Sequence, residues 1–129
     1  CIRDRVNPNL QVATDNQELS AFAATQQLID HSLEFDAVFA ASDLVAFGVL
    51  KCLKMNGIKT PEQVAVVGFD DIPAATYFSP SLTTVRQDTR LAAEALLGNL
   101  LKMIEGEKVT SSLVPISLIV RGSCGGRHS

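Results

Sequence analysis

The fold of this chain is indicated by one stretch of its sequence, Val64-Ala65-Val66-Val67-Gly68-Phe69-Asp70-Asp71-Ile72-Pro73. Residues 64–67 are all small or β-branched and apolar, which is typical of a strand buried on both faces in a parallel sheet covered by helices. Asp70 and Asp71 follow at the carboxyl end of that strand, where open α/β sheets bind their ligands. Because an unpaired buried carboxylate is costly, we expect these acids to meet ligand hydroxyls or basic groups.

Strand-like and helix-like patterns alternate on both sides of this stretch. Further strands are predicted at residues 11–14, 36–41, 82–86 and 112–120. Pro115 favours an edge or a bend for the last of these, since proline cannot donate a ladder hydrogen bond. Helices are predicted to begin near Asp15, Ser42 and Asp88. This order predicts a three-layer α/β sandwich with a mostly parallel sheet and right-handed crossovers.

The helix boundaries are predicted from residues that suit helix ends. Asp15 or Asn16 is expected to cap the first helix, because short polar side chains bond to free backbone amides. Ser42 or Asp43 is expected to cap the second helix in the same way. Gly57 is expected to end the second helix in a left-handed conformation.

Length and composition limit the classes of protein to consider. A chain of 129 residues with 47% hydrophobic content can bury one core, and its net charge of −3 argues against a nucleic-acid-binding surface on this segment. The cysteines and histidines are widely spaced, at Cys1, Cys52, Cys124, His31 and His128. This spacing favours reduced thiols over a disulfide framework, and it argues against a metal site. Reduced thiols favour a cytoplasmic protein. No apolar run approaches the length of a transmembrane helix, and the sequence contains no signal-peptide pattern.

Four motifs give the chain a family resemblance. They are Phe39-Ala40-Ala41-Ser42-Asp43-Leu44-Val45-Ala46-Phe47-Gly48, Val66-Val67-Gly68-Phe69-Asp70-Asp71, Leu82-Thr83-Thr84-Val85-Arg86-Gln87 and Val120-Arg121-Gly122-Ser123. In this order and spacing the chain, from about Val6 to Ser123, resembles the effector-binding domain of LacI/GalR-type transcriptional repressors. Because Cys1 is not a natural start, we expect a piece of a longer protein.

The resemblance implies a type I periplasmic-binding-protein-like fold, of which this chain supplies an incomplete C-terminal lobe. Residues 1–123 are expected to form the C-terminal part of an effector-binding and dimerisation domain, with residues 124–129 as a loose tail. The glycine-rich stretch from Gly122 onward also looks loosely held. Operator DNA would be bound by a missing N-terminal domain. The implied protein is a homodimer that binds a sugar or related small effector between two lobes, without a cofactor.

The resemblance also implies an effector site on this lobe. In the family, the acid after the glycine and aromatic residue accepts hydrogen bonds from sugar hydroxyls, and here that acid is Asp70. Gln87 corresponds to a pocket glutamine, Ser42 stands where the family has Asn or Asp, and Phe69 is a candidate for stacking. The alternatives are that Asp70 only fixes its loop and that Gln87 acts as a hinge. Asp71 is expected to be a solvated acid or an ion-pair partner of Arg86.

A dimer interface is the second site that the resemblance implies. Equivalents of Phe47, Tyr77 and Phe78 lie in a two-fold interface in such repressors. A symmetric dimer would place two DNA-binding heads over a palindromic operator. The alternative for Phe47 is a plain core position.

Two other classes of protein are weighed against a repressor. A periplasmic sugar-binding protein of a transport system shares the lobe architecture and is the main alternative. An enzyme is disfavoured because the adjacent Asp70 and Asp71 point to opposite faces of an extended strand. No phosphate-binding glycine loop, nucleophile–base pair or metal-ligand cluster accompanies them.

Overall fold

The computed structural model describes residues 8–126. Within that range the helices are α1 (Glu18–Asp30), α2 (Asp43–Met55), α3 (Ala74–Tyr77) and α4 (Thr89–Ile104). The strands are β1 (Ala37–Phe39), β2 (Ala65–Phe69), β3 (Thr83–Gln87) and β4 (Ile116–Ile119). Short 3-10 helices lie at Pro8–Leu10 and Gly122–Cys124. Cys1, Val6, His128 and tail residues 127–129 lie outside the described residues.

The strands of residues 8–126 form a sheet in the order β1-β2-β3-β4. β1, β2 and β3 are parallel, with Val38 opposite Val66 and Gly68 opposite Thr84. β4 pairs antiparallel with β3 and lies at an edge, as Pro115 indicated. The predicted α/β fold with a mostly parallel sheet is therefore confirmed.

The core lies where α2 packs on the sheet. Apolar side chains on more than one face of α2 are buried: Val45, Ala46, Phe47, Val49, Leu50, Cys52 and Leu53. They meet Val66 on β2 and Leu82 just before β3, both fully buried. The other side of α2 packs against α1. Burying each large apolar side chain contributes roughly 1.5–3 kcal/mol.

Two predictions near the start of the chain are wrong. Residues 11–15 form no strand, and Val12 is exposed, because a short alternating pattern has no partner strand to pair with in the described structure. α1 follows Gln17, which makes no side-chain capping bond, so neither Asp15 nor Asn16 is the cap. Instead the Asp15 Oδ1 accepts a hydrogen bond from the Gln17 amide at 3.2 Å, and Asn16 adopts a φ of 63°.

The other helix ends agree with the sequence. The Ser42 hydroxyl accepts a hydrogen bond from the Val45 amide at 3.4 Å and so caps α2. Gly57 follows α2 with a φ of 72°, the left-handed conformation predicted for it.

The expectation of a loose chain from Gly122 onward is wrong for its first three residues. Gly122–Cys124 forms a 3-10 helix, and Ser123 is fully buried. The Ser123 hydroxyl accepts a hydrogen bond from the Thr83 amide at 2.8 Å and donates one to the Val66 carbonyl at 2.6 Å. Two hydrogen bonds to neighbouring strands therefore hold this segment against the sheet.

Candidate functional site

The parallel strands place their carboxyl ends along one edge of the sheet. The predicted effector residues all lie at these ends: Ser42 after β1, Phe69 and Asp70 at the end of β2, and Gln87 at the end of β3. Loops from successive strands converge at such an edge, which is where open α/β sheets bind ligands. We call these four residues the strand-end site.

Asp70 and Gln87 are in direct contact. The Gln87 Nε2 donates a hydrogen bond to the Asp70 Oδ1 at 3.1 Å, and both side chains are exposed. The Asp70 amide donates to the Val85 carbonyl on β3 at 2.9 Å, which fixes the backbone beneath the pair. The site therefore presents a carboxylate with free lone pairs beside an amide that both donates and accepts.

Ser42 is less available to a ligand than Asp70, since only 5% of it is exposed. Its hydroxyl donates to the Asn16 Oδ1 at 2.6 Å while accepting from the Val45 amide. Asn16 is exposed and accepts this hydrogen bond from Ser42, so the Asn16 side-chain amide lies next to the strand-end site. The sequence pattern predicts Asn16 only as a helix cap. The signal for its place in a turn is that asparagine tolerates a left-handed backbone.

Phe69 and Thr89 flank the Asp70–Gln87 pair along the chain. Phe69 is partly buried at the end of β2, opposite Val85 in the parallel register. Thr89, the first residue of α4, lines an open depression of about 410 Å³ together with Gln87 and Ser117.

Asp71 is an ion-pair partner and not a solvated acid. Only 6% of its side chain is exposed, and its carboxylate contacts the Arg86 Nε at 2.5 Å and the Arg121 Nη2 at 2.6 Å. Burial raises the pKa of Asp71, but the hydrogen bonds and charges of Arg121 and Arg86 outweigh it and leave that pKa below its usual value. Arg121 also donates to the Leu82 carbonyl at 2.8 Å, a role that sequence reasoning missed.

Asp43 is fully buried between α2 and the strand-end site. Its Oδ2 accepts a hydrogen bond from the Ile72 amide at 2.8 Å. Its Oδ1 accepts one from the Thr84 hydroxyl at 2.6 Å. Asp43 therefore lies behind the candidate site, and its carboxylate binds only protein groups.

The predicted interface residues are close together but unequally exposed. Phe47 is buried within the chain and stacks on Phe78, with ring centroids 4.3 Å apart and an interplanar angle of 7°. Tyr77, next to Phe78, is 86% exposed. An aromatic ring this exposed is available to another surface, whereas Phe47 also serves as a core residue of this chain.

Residues 8–126 contain no cluster of three or more His, Cys, Asp or Glu side chains able to hold a metal ion. Cys52 is fully buried, and burial raises the pKa of its thiol, which fits a small core residue. Within the same range, no helix combines the length and the apolar character needed to cross a membrane.

Sequence comparison identifies related proteins. The family profile described as a periplasmic binding protein-like domain matches residues 4–124. The chain is 29% identical over 120 residues to the lactose operon repressor of Escherichia coli K12, covering 92% of this chain and 33% of that protein. It is 42% identical over 88 residues to the HTH-type transcriptional regulator CelR of Thermobifida fusca, covering 68% of this chain and 26% of that protein. The chain thus spans about a third or less of these relatives.

Comparison with solved structures identifies a lac repressor and a CelR protein again. A lac repressor dimer bound to operator and the anti-inducer ONPF is similar with a TM-score of 0.86 and 28% identity, covering 95% of this chain and 38% of that chain. A CelR–cellobiose complex is similar with a TM-score of 0.82 and 36% identity, covering 92% of this chain and 37% of that chain. The chain therefore belongs to the periplasmic binding protein-like domain family, and within it to the effector-binding domains of LacI-type repressors.

Proposed function

We propose that this chain is the effector-sensing and dimerisation part of a cytoplasmic LacI-type transcriptional regulator, and that its effector is a sugar or a related polyhydroxylated compound. The observation that carries the proposal is the exposed Asp70 carboxylate at the end of β2, held by the Gln87 amide. The name of the CelR–cellobiose complex, a related structure, supports a sugar as the ligand class.

The chemistry of the strand-end site suits hydroxyl groups. An ionised carboxylate only accepts hydrogen bonds, so Asp70 favours ligands that donate them, as two neighbouring sugar hydroxyls do. Gln87 can donate to or accept from the next hydroxyl along a ring. Phe69 would offer an apolar surface to the face of the ring. Ser42 would act mainly by holding Asn16, whose amide reaches the same side of the sheet.

The regulatory mechanism follows from two lobes that close on the effector. An effector shifts the balance between open and closed arrangements only by its differential affinity for the two. In the proposed regulator, closure changes how the DNA-binding heads of a dimer fit an operator. The acidic charge of this chain is consistent with operator contacts made elsewhere in the protein.

The proposed dimer uses Tyr77 together with the stacked pair of Phe47 and Phe78. Tyr77 supplies exposed aromatic area, and the Phe47–Phe78 stack holds the neighbouring backbone of α3 against α2. Tyrosine is enriched in interface cores because it combines apolar area with a polar tip. A two-fold axis near Tyr77 would bring this surface against its own copy.

A periplasmic sugar-binding protein is the second candidate, since the same lobe and carboxylate would serve transport. The names of the relatives, a lactose operon repressor and a transcriptional regulator, favour the repressor. We propose no enzymatic activity, because the strand-end site pairs Asp70 with an amide and not with a nucleophile or a second titratable group.

The test is a thermal-shift panel on the full-length protein with cellobiose, lactose, monosaccharides, nucleosides and sugar phosphates. A ligand at 100 times its Kd stabilises the folded state by about 2.7 kcal/mol, which such a panel detects readily. Asp70→Asn should lose most of the shift, because a charge-assisted hydrogen bond contributes roughly 1.5–3 kcal/mol. Asp36→Asn is the matched control, since Asp36 is exposed at the opposite, amino end of β1.

The outcomes separate the alternatives. A sugar that stabilises wild type and Asp36→Asn but not Asp70→Asn supports the proposed site. Equal stabilisation of all three proteins shows that Asp70 only fixes its loop. If no compound stabilises wild type, the proposed effector class is wrong.

A further inference from the structure

Asp43 is a buried titratable group to which the proposed sensing mechanism assigns no role. Its carboxylate is fully buried, and burying a carboxylate is costly unless hydrogen bonds compensate. Here the two compensating donors belong to other elements: the Ile72 amide after β2 and the Thr84 hydroxyl on β3. One side chain at the start of α2 therefore joins the loop after β2 to the second residue of β3.

Gly68 provides the space that this carboxylate occupies. A Cβ atom at position 68 would lie 2.4 Å from the Asp43 Oδ1 and 3.0 Å from the Leu82 Cδ2. Neither neighbour has room to retreat, because Asp43 and Leu82 are both fully buried. The glycine before Phe69 is therefore explained by the Asp43 carboxylate, and not by an unusual backbone angle at position 68.

The backbone held by Asp43 is the turn that carries Asp70. Asp70 and Asp71 have φ angles of 111° and 56°, which side chains other than glycine rarely adopt and which are kept only where the surroundings enforce them. The Ile72 amide, bound by Asp43, follows directly. On the other side the Asp71 carboxylate is bound by Arg121. The Asp70 carboxylate thus projects from a turn that the buried Asp43 carboxylate holds at Ile72.

We propose that Asp43 is a positioning residue for effector binding: it holds the Asp70–Asp71 turn so that the Asp70 carboxylate meets the Gln87 amide and the ligand. The proposal rests on the function proposed above for Asp70. Asp43 itself touches no ligand. A carboxylate that is misdirected by even a fraction of an ångström loses the alignment that hydrogen bonds to a ligand require.

The hydrogen-bond chemistry predicts which substitutions matter. Asp43→Asn keeps an oxygen for the Ile72 amide, and its new amide group can donate to the Thr84 hydroxyl oxygen, so the turn should survive. Asp43→Ala removes both acceptors and leaves the Ile72 amide unpaired. Gly68→Ala keeps the carboxylate but displaces it. Thr84→Val is the intermediate change, since it removes one of the two donors to the Asp43 carboxylate while nearly keeping the side-chain shape.

The experiment uses the full-length protein and two readouts. Hydrogen–deuterium exchange of a peptide spanning residues 70–76 reports the bond to the Ile72 amide without any ligand. Isothermal titration with cellobiose, or with whichever sugar gives wild type its largest thermal shift, reports the consequence for binding. Thr25→Val is the control for Thr84→Val, since Thr25 is buried in α1 and bonds only to its own helix. Leu53→Val is the control for a general loss of core packing.

Asp43→Ala and Gly68→Ala should speed exchange at Ile72 and weaken sugar binding about tenfold or more, while Asp43→Asn stays within about threefold of wild type. Thr84→Val should fall between them and keeps the test decisive if Asp43→Ala does not fold. Unchanged exchange at Ile72, or faster exchange with unchanged affinity, would overturn the proposal. If no sugar binds wild type, the proposed function fails separately, and unchanged exchange in Asp43→Ala would still show that Asp43 does not hold the turn.

Discussion

Asp70 and Asp71 are neighbours in sequence, but their carboxylates have opposite surroundings. Asp70 is exposed beside the neutral Gln87 amide, whereas Asp71 lies between two arginines with 6% of its side chain exposed. A buried ion pair owes its stability to close geometry, and removing one partner leaves the other charge uncompensated. Because Arg121 follows β4 and Arg86 lies on β3, Asp71 ties the segment after β4 to β3.

The ion pairs of Asp71 with Arg86 and Arg121 predict that the protein loses stability in acid. The pKa of Asp71 is lower in the folded protein than in the unfolded chain, so the unfolded chain binds more protons as the pH falls. Its contribution is therefore complete above about pH 5 and is lost as the pH falls below about 4. At pH 7, Asp71→Asn should lower the free energy of unfolding by about 3 kcal/mol, and by less at pH 3.5, as measured by urea denaturation.

Glu94→Gln is the control for the Asp71 prediction. The Arg90–Glu94 pair joins two exposed side chains one helical turn apart in α4, so its loss should cost no more than about 0.5 kcal/mol at any pH. A cost for Asp71→Asn that is equally small, or that grows as the pH falls, would show that the ion pairs of Asp71 do not stabilise the fold.

Only some of the surroundings of Asp70, Asp71 and Asp43 can be predicted from the sequence. Asp70 follows a buried strand, so its place at a ligand-binding edge can be inferred from the pattern. The ion pair of Asp71 with Arg86 is one of the two alternatives that the sequence leaves open, the other being a solvated acid. The bond to Arg121 spans 50 positions, and that of Asp43 to Thr84 spans 41, so both depend on the tertiary fold and not on local pattern.

At the scale of elements, Gly57, which follows α2, can be compared with Gly98 inside α4. Gly57 and Gly98 both have no atom within 4 Å of an added Cβ, but only Gly57 has a positive φ, of 72°. Gly57→Ala should therefore cost about 1 kcal/mol through backbone strain alone. Gly98→Ala should instead stabilise by about 0.5–1 kcal/mol, because alanine favours a helix interior.

Thermal and urea unfolding of the two variants in the full-length protein measure this difference. Equal effects at the two positions would mean that the left-handed conformation of Gly57 is not what ends α2. A loss of stability in Gly98→Ala would show that another surface covers α4 closely at that position.

The elements that sequence patterns predict well are those with strong periodicity or complete burial. α2, β2 and β3 were predicted to within about two residues, because Ser42 and Gly57 mark the ends of α2 and apolar runs mark the two strands. The predicted strand at residues 11–14 failed because a strand requires a partner, and four residues of pattern carry no information about one. The order of the segment Gly122–Cys124 was not predicted because its hydrogen bonds go to residues about 40 or more positions away, such as those of the Ser123 hydroxyl to Thr83 and Val66.

At the scale of the whole molecule, α4 is apolar but contributes no buried residue within the described structure. Its exposed side chains include Leu91, Leu96, Leu97, Leu100, Leu101, Met103 and Ile104. Contiguous apolar surface of this kind marks a surface that another structure covers. Because α4 is exposed in residues 8–126, the free energies of unfolding of the Asp71, Gly57 and Gly98 variants are best measured on the full-length protein.

The proposed dimer is the feature of the whole molecule that a single substitution tests most directly. Tyr77 is 86% exposed and lies beside Phe78, so Tyr77→Asp should leave the Phe47–Phe78 stack in place while putting two like charges near the proposed two-fold axis. Sedimentation velocity of the full-length protein should show a dissociation constant raised at least about tenfold. Leu113→Asp, at a fully exposed position before β4, should leave it unchanged. A dimer that tolerates Tyr77→Asp as well as Leu113→Asp must use another surface.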